Sequence, residues 1–339
     1  MESPNKAFLG MSLRRDLFNH NGVFIAPART LLNEEQIELI DRHGIQLESH
    51  DVQAVEKKPA VQGQIDSTTA YVTELFDKIR YSKTIPLLTI REEIVPVIQQ
   101  TAGHTDFYEL IATLQTKDDY TYRHNIAVGV LSTLIGRWMG LPHSELTQLT
   151  LAATLHDIGK LKIPPDLLLK PGKLTHEEFE LIKKHTIFGY QMIKDTVGAT
   201  HLQALVALQH HERQDGSGYP LGLQAGQIVP FSRIVAVADV FHAITSDRPY
   251  RKASPMYETL QQMDQHAFGE LDPHICKMFI DKMMQSMLSH EVLLTSGQTG
   301  TIVMINPHAP LHPLVNVDDQ FIDLSKHSAL QIVQVAPKQ

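Results

Sequence analysis

Between Thr121 and Met139 the apolar residues Ile126, Val128, Val130, Leu131, Leu134, Ile135 and Trp138 recur with a helical period and form one wide apolar face. The same periodicity makes the whole block from about 100 to 288 read as helical. A second helix is predicted over about Ser144–Leu155. A third opens at Thr175-His176-Glu177-Glu178, a Thr-x-x-Glu capping box, and is predicted to run to about Asp195. On it His185 and Gly189 lie four apart, hence on one face, where the glycine lets another element approach. A fourth helix starts near Leu202 and ends in His210-His211-Glu212; a fifth covers about Ser232–Ser246. Between these two, Asp215-Gly216-Ser217-Gly218-Tyr219-Pro220 holds two glycines and a proline in six residues and must be a loop.

The flanks follow a different rhythm. Residues 1–65 read as a small α/β unit: a turn at Asn21-Gly22, a strand at Val23-Phe24-Ile25-Ala26, and a helix opened by Asn33-Glu34-Glu35-Gln36 and closed near His43-Gly44. Glu56–Ser67, polar with Pro59 and Gly63, reads as a linker. Residues 66–99 are expected to be a helical connection despite Pro86 and Pro96, and 100–288 an all-α catalytic domain. Residues 289–339 are expected to be a small β-unit. Its strands are Val292-Leu293-Leu294, Thr301–Ile305, Pro313–Val317 and Ile332–Val335, four or five in all. The fold class is therefore mainly α, with a mixed unit before the helices and a β-unit after them.

Composition narrows the function. The chain has 339 residues, 42% hydrophobic and 20% charged, with a formal charge of −8. That balance provides no general basic surface for a long nucleic acid, so an anionic substrate must be met by local cations. No apolar run approaches the roughly 18 residues of a membrane span, and Met1-Glu2-Ser3-Pro4-Asn5-Lys6 lacks a signal-peptide layout. The single cysteine, Cys276, lies in an apolar-patterned run and is expected in the core. It permits no intrachain disulfide and fits a reducing cytoplasm.

The candidate chemistry is histidine and aspartate. His156-Asp157 offers an imidazole and a carboxylate from one piece of backbone; the two carboxylate oxygens could bridge two cations, in a donor set suited to Zn, Fe, Mn or Ni rather than Ca. His124, His185, His210, His211 and Asp239 stand at other helix ends and faces. With 19 histidines in the chain, any single one on a helix is more often solvated or satisfied than a ligand. His20, His50, His104, His143, His266 and His312 are read that way. His210-His211 says more: neighbours on a helix point about 100° apart, and both can face one ion only where the helix ends, as the loop that follows makes it do.

His156-Asp157-Ile158-Gly159-Lys160, His185, His210-His211, Asp215–Pro220 and Asp239-Val240-Phe241 together resemble the HD-GYP family, a branch of the HD phosphohydrolases, over about residues 100–288. The resemblance implies an all-α fold around a dinuclear or trinuclear centre, often of iron or manganese. It also implies cleavage of cyclic di-GMP to linear pGpG and on to GMP. By position, one ion falls to His124, His156, Asp157 and Asp239, and the second to Asp157, His185, His210 and His211. Lys160, Arg248 and Arg251 match the family's phosphate-binding cations. Two such ions lower the pKa of a bridging water and neutralise charge on the transition state, so Asp157 and Lys160 carry the catalytic expectation and no side-chain nucleophile is nominated.

Tyr219 has two readings. The Gly218-Tyr219-Pro220 turn is what any tight loop needs, with glycine supplying φ > 0 and proline fixing the exit; alternatively it presents an aromatic to a base. The same loop is the expected contact for a GGDEF-type cyclase or another signalling protein, and a homodimer is left open. Two departures stand out. Trinuclear members carry a Glu one turn before the His124 position, where this chain has Tyr120, with Asp118 and Asp119 out of register; two ions are therefore expected, not three. The family commonly reads Asp-Val-Phe-Asp where this chain reads Asp239-Val240-Phe241-His242, so His242 is either a partner of the centre or a neutral surface change. Asp16–Ile45 and Ser296–Ser325 are similar to extensions on some family members, for which pairing or regulation is expected. The competing functions are a non-catalytic receptor for cyclic di-GMP and a phosphohydrolase of another cyclic dinucleotide or nucleotide.

Overall fold

The structure is a computed structural model and describes residues 3–20, 22–28, 30, 32–54, 61–103, 107–114, 120–170, 172–247, 252–266, 269–327 and 329–336. The chain separates into two compact units, Met1–Ala60 and Val61–Gln339. In the first, β1 (Met11–Leu13), β2 (Leu17–Phe18), β3 (Phe24–Ala26) and β4 (Val52–Ala54) form two antiparallel ribbons, β1 with β4 and β2 with β3. Helix α1 (Glu34–Arg42) starts where expected, because the Asn33 side chain accepts from the Gln36 amide and acidic Glu34 and Glu35 occupy its first turn. Leu13, Leu17, Leu32, Ile37, Ile40 and Val52 close this unit's own core.

The second unit opens on a helix. The stretch read as a polar linker up to Ser67 is helical from Val61, the start of the 22-residue α2 (Val61–Ser82). Ile65, Val72, Phe76 and Ile79 are buried along it at helical spacing, so burial overrides the polar composition of its first turns. A short turn α3 (Leu87–Thr89) and a π-helical turn Ile90–Ile94 lead into α4 (Val95–Thr101), where Pro96 sits in the first turn and breaks nothing. The remaining helices are α5 (Phe107–Leu114), α6 (Tyr120–Trp138), α7 (His143–Thr154), α8 (Pro165–Leu168), α9 (His176–Lys183), α10 (His185–Lys194), α11 (His201–Gln209), α12 (Pro230–Thr245), α13 (Met256–His266) and α14 (Pro273–Ser286). The helix expected to run unbroken to Asp195 is two, α9 and α10, which meet at Lys184. There the last turn of α9 tightens: the Lys184 amide donates to the Leu181 carbonyl three residues back, and the imidazole of His185 takes the Ile182 carbonyl.

After α14, β5 (Glu291–Leu294), β6 (Thr299–Met304), β7 (Leu314–Val317), β8 (Gln320–Asp323) and β9 (Ile332–Val335) form one antiparallel sheet in the order β8-β7-β6-β5-β9. Val292, Leu294, Ile302, Val315 and Ile332 join the same apolar cluster as the helices. Tyr108 of α5 donates its hydroxyl to the Val335 carbonyl at 2.8 Å. Cys276 is buried in α14, as its sequence neighbours predict. Among the described residues no helix is long and apolar enough to cross a membrane.

Candidate metal centre

The residues expected at the centre come from five segments. His124 sits in the first turns of α6. His156 and Asp157 follow the end of α7, where the chain tightens into a 3-10 turn, Ile158–Lys162. His185 opens α10, His210 and His211 follow the last residue of α11, and Asp239 lies mid-way along α12. Glycine is what lets the second and third of these meet. A Cβ on Gly159 would lie 1.9 Å from the His185 carbonyl oxygen and 2.4 Å from the Gly189 nitrogen, so the 3-10 turn and α10 touch backbone to backbone.

Asp157 is the hub. Its Oδ1 lies 3.2 Å from His185 Nε2 and 3.6 Å from His210 Nε2; its Oδ2 lies 3.4 Å from His156 Nε2 and 3.7 Å from His124 Nε2. Two ligand-type groups share it: Asp157, His185, His210 and His211, and His124, His156 and Asp157, each with donor atoms within 4.8 Å of one another. Asp239 stands beside these groups and touches one histidine of each, Oδ1 to His124 Nε2 at 3.1 Å and Oδ2 to His211 Nδ1 at 3.8 Å. Lys160 Nζ closes on Asp157 Oδ2 from the solvent side.

The second nitrogen of each ring explains why the first points inward. Nδ1 of His156 lies 2.7 Å from the Ala153 carbonyl, that of His185 2.7 Å from Ile182, and that of His210 3.0 Å from Ala207. Carbonyls only accept, so these rings carry their protons on Nδ1 and turn bare Nε2 atoms toward the carboxylates. His156 Nε2 and Asp157 Oδ1 are then buried with no hydrogen-bond partner. Acceptors facing acceptors in the interior would be costly by themselves; the set fits divalent transition metals bound by imidazole and carboxylate, with carbonyls fixing the rings from behind.

Charge follows the same logic. Burial alone would push the Asp157 carboxyl up, but Lys160 and the surrounding imidazoles hold it well below the usual range. Burial opposes ionisation of Asp239 as well, and His124 with His211 wins. Burial drives the imidazoles the other way: His210 falls to about 4, and His211 and His124 are also lowered. His156 is the exception, where burial is outweighed by Asp157 and the pKa is raised. Two carboxylates and mostly neutral imidazoles are the state that binds cations.

The loop after α11 is built onto the centre. Tyr219 stacks on His211 with ring centroids 4.7 Å apart and 30° between planes. Gly218 is needed for proximity rather than for φ > 0, which corrects the expectation: a Cβ there would lie 2.3 Å from the Arg213 nitrogen and 2.5 Å from the His211 oxygen. Glu212, not singled out by sequence, is buried and accepts the Leu221 and Leu223 amides at 2.7 and 2.8 Å. His210-His211-Glu212 thus serves the centre with two residues and the loop with the third. Phe179 and Lys183, one turn apart on α9, likewise belong to no sequence motif; Phe179 meets Tyr219 edge-on at 6.3 Å and Lys183 Nζ lies over both rings. Arg248, Arg251, Asp118 and Asp119 lie outside the described residues, as does the side chain of Tyr120.

Comparison with known proteins agrees with this geometry. Residues 109–275 match the family model described as HD domain. The cyclic di-GMP phosphodiesterase PA4108 of Pseudomonas aeruginosa is 36% identical over 73% of this chain and 60% of its own length. The 3'3'-cGAMP-specific phosphodiesterase 3 of Vibrio cholerae is 36% identical over 60% of this chain and 45% of its own. The chain thus spans about half the length of these curated relatives. Bd1817, an HDG"Y"P protein from Bdellovibrio bacteriovorus, superposes with a TM-score of 0.54 at 15% identity, over 81% of this chain and 94% of that one, a likeness of fold.

Proposed function

Because this chain belongs to the HD superfamily of metal-dependent phosphohydrolases, is HD-GYP-like and is related to cyclic di-GMP phosphodiesterases, we propose that it is a cytoplasmic phosphodiesterase that opens cyclic di-GMP to linear pGpG and carries it on to GMP. The observation that carries this reading is the sharing of Asp157 by two ligand-type groups. When bound, two divalent ions, iron or manganese, would supply Lewis-acid polarisation of a phosphodiester and a water of lowered pKa.

The chain's own residues set the rest. Asp157 offers one oxygen to each side of the centre, and Asp239 does the same at its edge. Lys160 keeps its ammonium at the solvent side, where it can pass from Asp157 to an incoming phosphate; Arg248 and Arg251 are the further cations we assign to that anion. Tyr219 holds the His211 ring by stacking, and the exposed ring of Phe179 beside Lys183 extends that wall into a surface on which a nucleobase can stack. The loop around Tyr219 is the face we assign to a GGDEF-type or other signalling partner.

The test is anaerobic purification, a metal count per chain, and chromatography of products from cyclic di-GMP. Two ions with linear dinucleotide or GMP appearing support the reading; two ions with cyclic di-GMP left intact overturn it. A second substrate is favoured by one observation, the similarity to a 3'3'-cGAMP-specific enzyme, so the same assay is run with 3'3'-cGAMP in competition.

A further inference from the structure

His242 is buried at 3% exposure, although its position after Asp239-Val240-Phe241 left a surface role open. It lies three residues beyond Asp239 on α12, so the two side chains share one face of that helix. Together they stand against both nitrogens of a single imidazole. Asp239 Oδ1 is 3.1 Å from His124 Nε2, and His242 Nδ1 is 2.9 Å from His124 Nδ1. On its far side His242 Nε2 lies 3.3 Å from the Leu114 carbonyl oxygen, with the Ser246 hydroxyl at 3.2 Å.

His124 differs here from its neighbours. His156, His185 and His210 each rest Nδ1 on a backbone carbonyl, which can only accept and so fixes their tautomer. His124 has another imidazole in that place, and an Nδ1–Nδ1 contact of 2.9 Å accommodates one proton, not two and not none. The Ser246 hydroxyl, 3.2 Å from His242 Nε2 and 3.4 Å from its Nδ1, can donate or accept, so the bias toward one ring comes from the Leu114 carbonyl, which only accepts. By accepting from His242 Nε2–H it leaves His242 Nδ1 as a lone pair, so the shared proton sits on His124 Nδ1 and His124 Nε2 is bare.

We infer that His242 is a positioning residue for one of the two ion sites: it relays the acceptor character of the Leu114 carbonyl to His124 and thereby fixes His124 as an Nε2 ligand. This rests on the dinuclear reading above. The role is confined to the site of His124 and His156, because His185, His210 and His211 have no part in the relay.

The side chains that test this keep the shape and change one atom. In His242→Asn and His242→Asp an oxygen attached to Cγ takes the place of Nδ1 and can accept from His124; in His242→Leu that place is a methyl. Equilibrium dialysis of the metal-free full chain against Mn²⁺ reads site occupancy without substrate, and Mn²⁺ electron paramagnetic resonance separates one ion from a coupled pair. The expected result is a roughly 10–100-fold loss of affinity at one site only in His242→Leu, as for other partners that orient a metal-bound histidine. Its second site should be unchanged, and the coupled signal should return in His242→Asn or His242→Asp. Two wild-type affinities in His242→Leu overturn the inference, as does equal loss in all three variants with unchanged circular dichroism, which would mark a packing role. A wild-type chain that binds fewer than two ions would instead strike the dinuclear reading itself.

Discussion

Replacing Gly159 by alanine probes the closest approach in the centre. The added methyl would lie 1.9 Å from the His185 carbonyl oxygen and 2.4 Å from the Gly189 nitrogen, where real Cβ atoms essentially never come under 3.0 Å. Both obstacles are backbone, so no rotamer change relieves them, and α10 must retreat from the 3-10 turn by roughly 1 Å. His185 rides on the first residue of α10, so its Nε2 moves off Asp157 Oδ1 by a similar distance from the present 3.2 Å. Overpacking of this kind costs about 1–3 kcal/mol, and a misplacement of about 1 Å at a reacting centre costs about 100-fold in rate. Gly189→Ala is the control: its Cβ meets the Ala207 methyl at 3.2 Å and the Gly159 nitrogen at 3.4 Å, which small shifts absorb. Thermal melting, metal content and turnover of both variants make the assay. A Gly159→Ala protein that melts, binds metal and turns over like Gly189→Ala would refute the backbone-contact argument.

Asp157→Ala should take metal content from two ions to near zero and turnover down by more than about 100-fold, beyond the effect of losing an outer partner; a full-rate variant would sink the dinuclear reading. Phe179→Ala should raise KM for the cyclic dinucleotide by about 5–160-fold, the worth of one stacked base, with metal content unchanged; an unchanged KM removes Phe179 from the substrate surface. The metal-free protein should lose stability between about pH 7 and 5. His124, His210 and His211 have lowered folded pKa values, about 4 for His210, so the unfolded chain binds more protons in that window and stability falls on acidification. His156, raised, works in the opposite direction and is outnumbered. A melting temperature that holds or rises on acidification through that window counts against this balance.

How much of this was legible in the sequence depends on whether the signal was local. Helix period, the Thr175 capping box and the glycine-rich loop are neighbours' business, and α6, α7, α11, α12 and the loop lie where they read, while the helix capped by Thr175 divides at Lys184. His210-His211 required a helix end, and α11 ends at Gln209. What failed were contacts made over distance. The start of α2 is polar by composition and is set by burial of Ile65 against the bundle. Gly218 looked like a turn residue because its real constraint, the His211–Arg213 backbone beneath it, is a packing fact. Glu212 and Phe179 carry no motif, and only their partners reveal them. His242 could be placed on the right helix face, yet the ring it meets, His124, lies on another helix.

The centre draws its side chains from α6, the end of α7, α10, the end of α11 and α12, with neighbours in sequence contributing only as the pairs His156-Asp157 and His210-His211. A cation arriving at an unfolded chain would find no short segment able to hold it, unlike the ligand clusters of small zinc modules, which metal folds outright. Loop-closure entropy between such distant segments has to be met by apolar packing of the bundle first. The order of assembly expected on these grounds is helices, then ion: a metal would arrive as the last crosslink on a framework already folded, and its departure should loosen the helix ends around Asp157 while leaving the apolar interior standing.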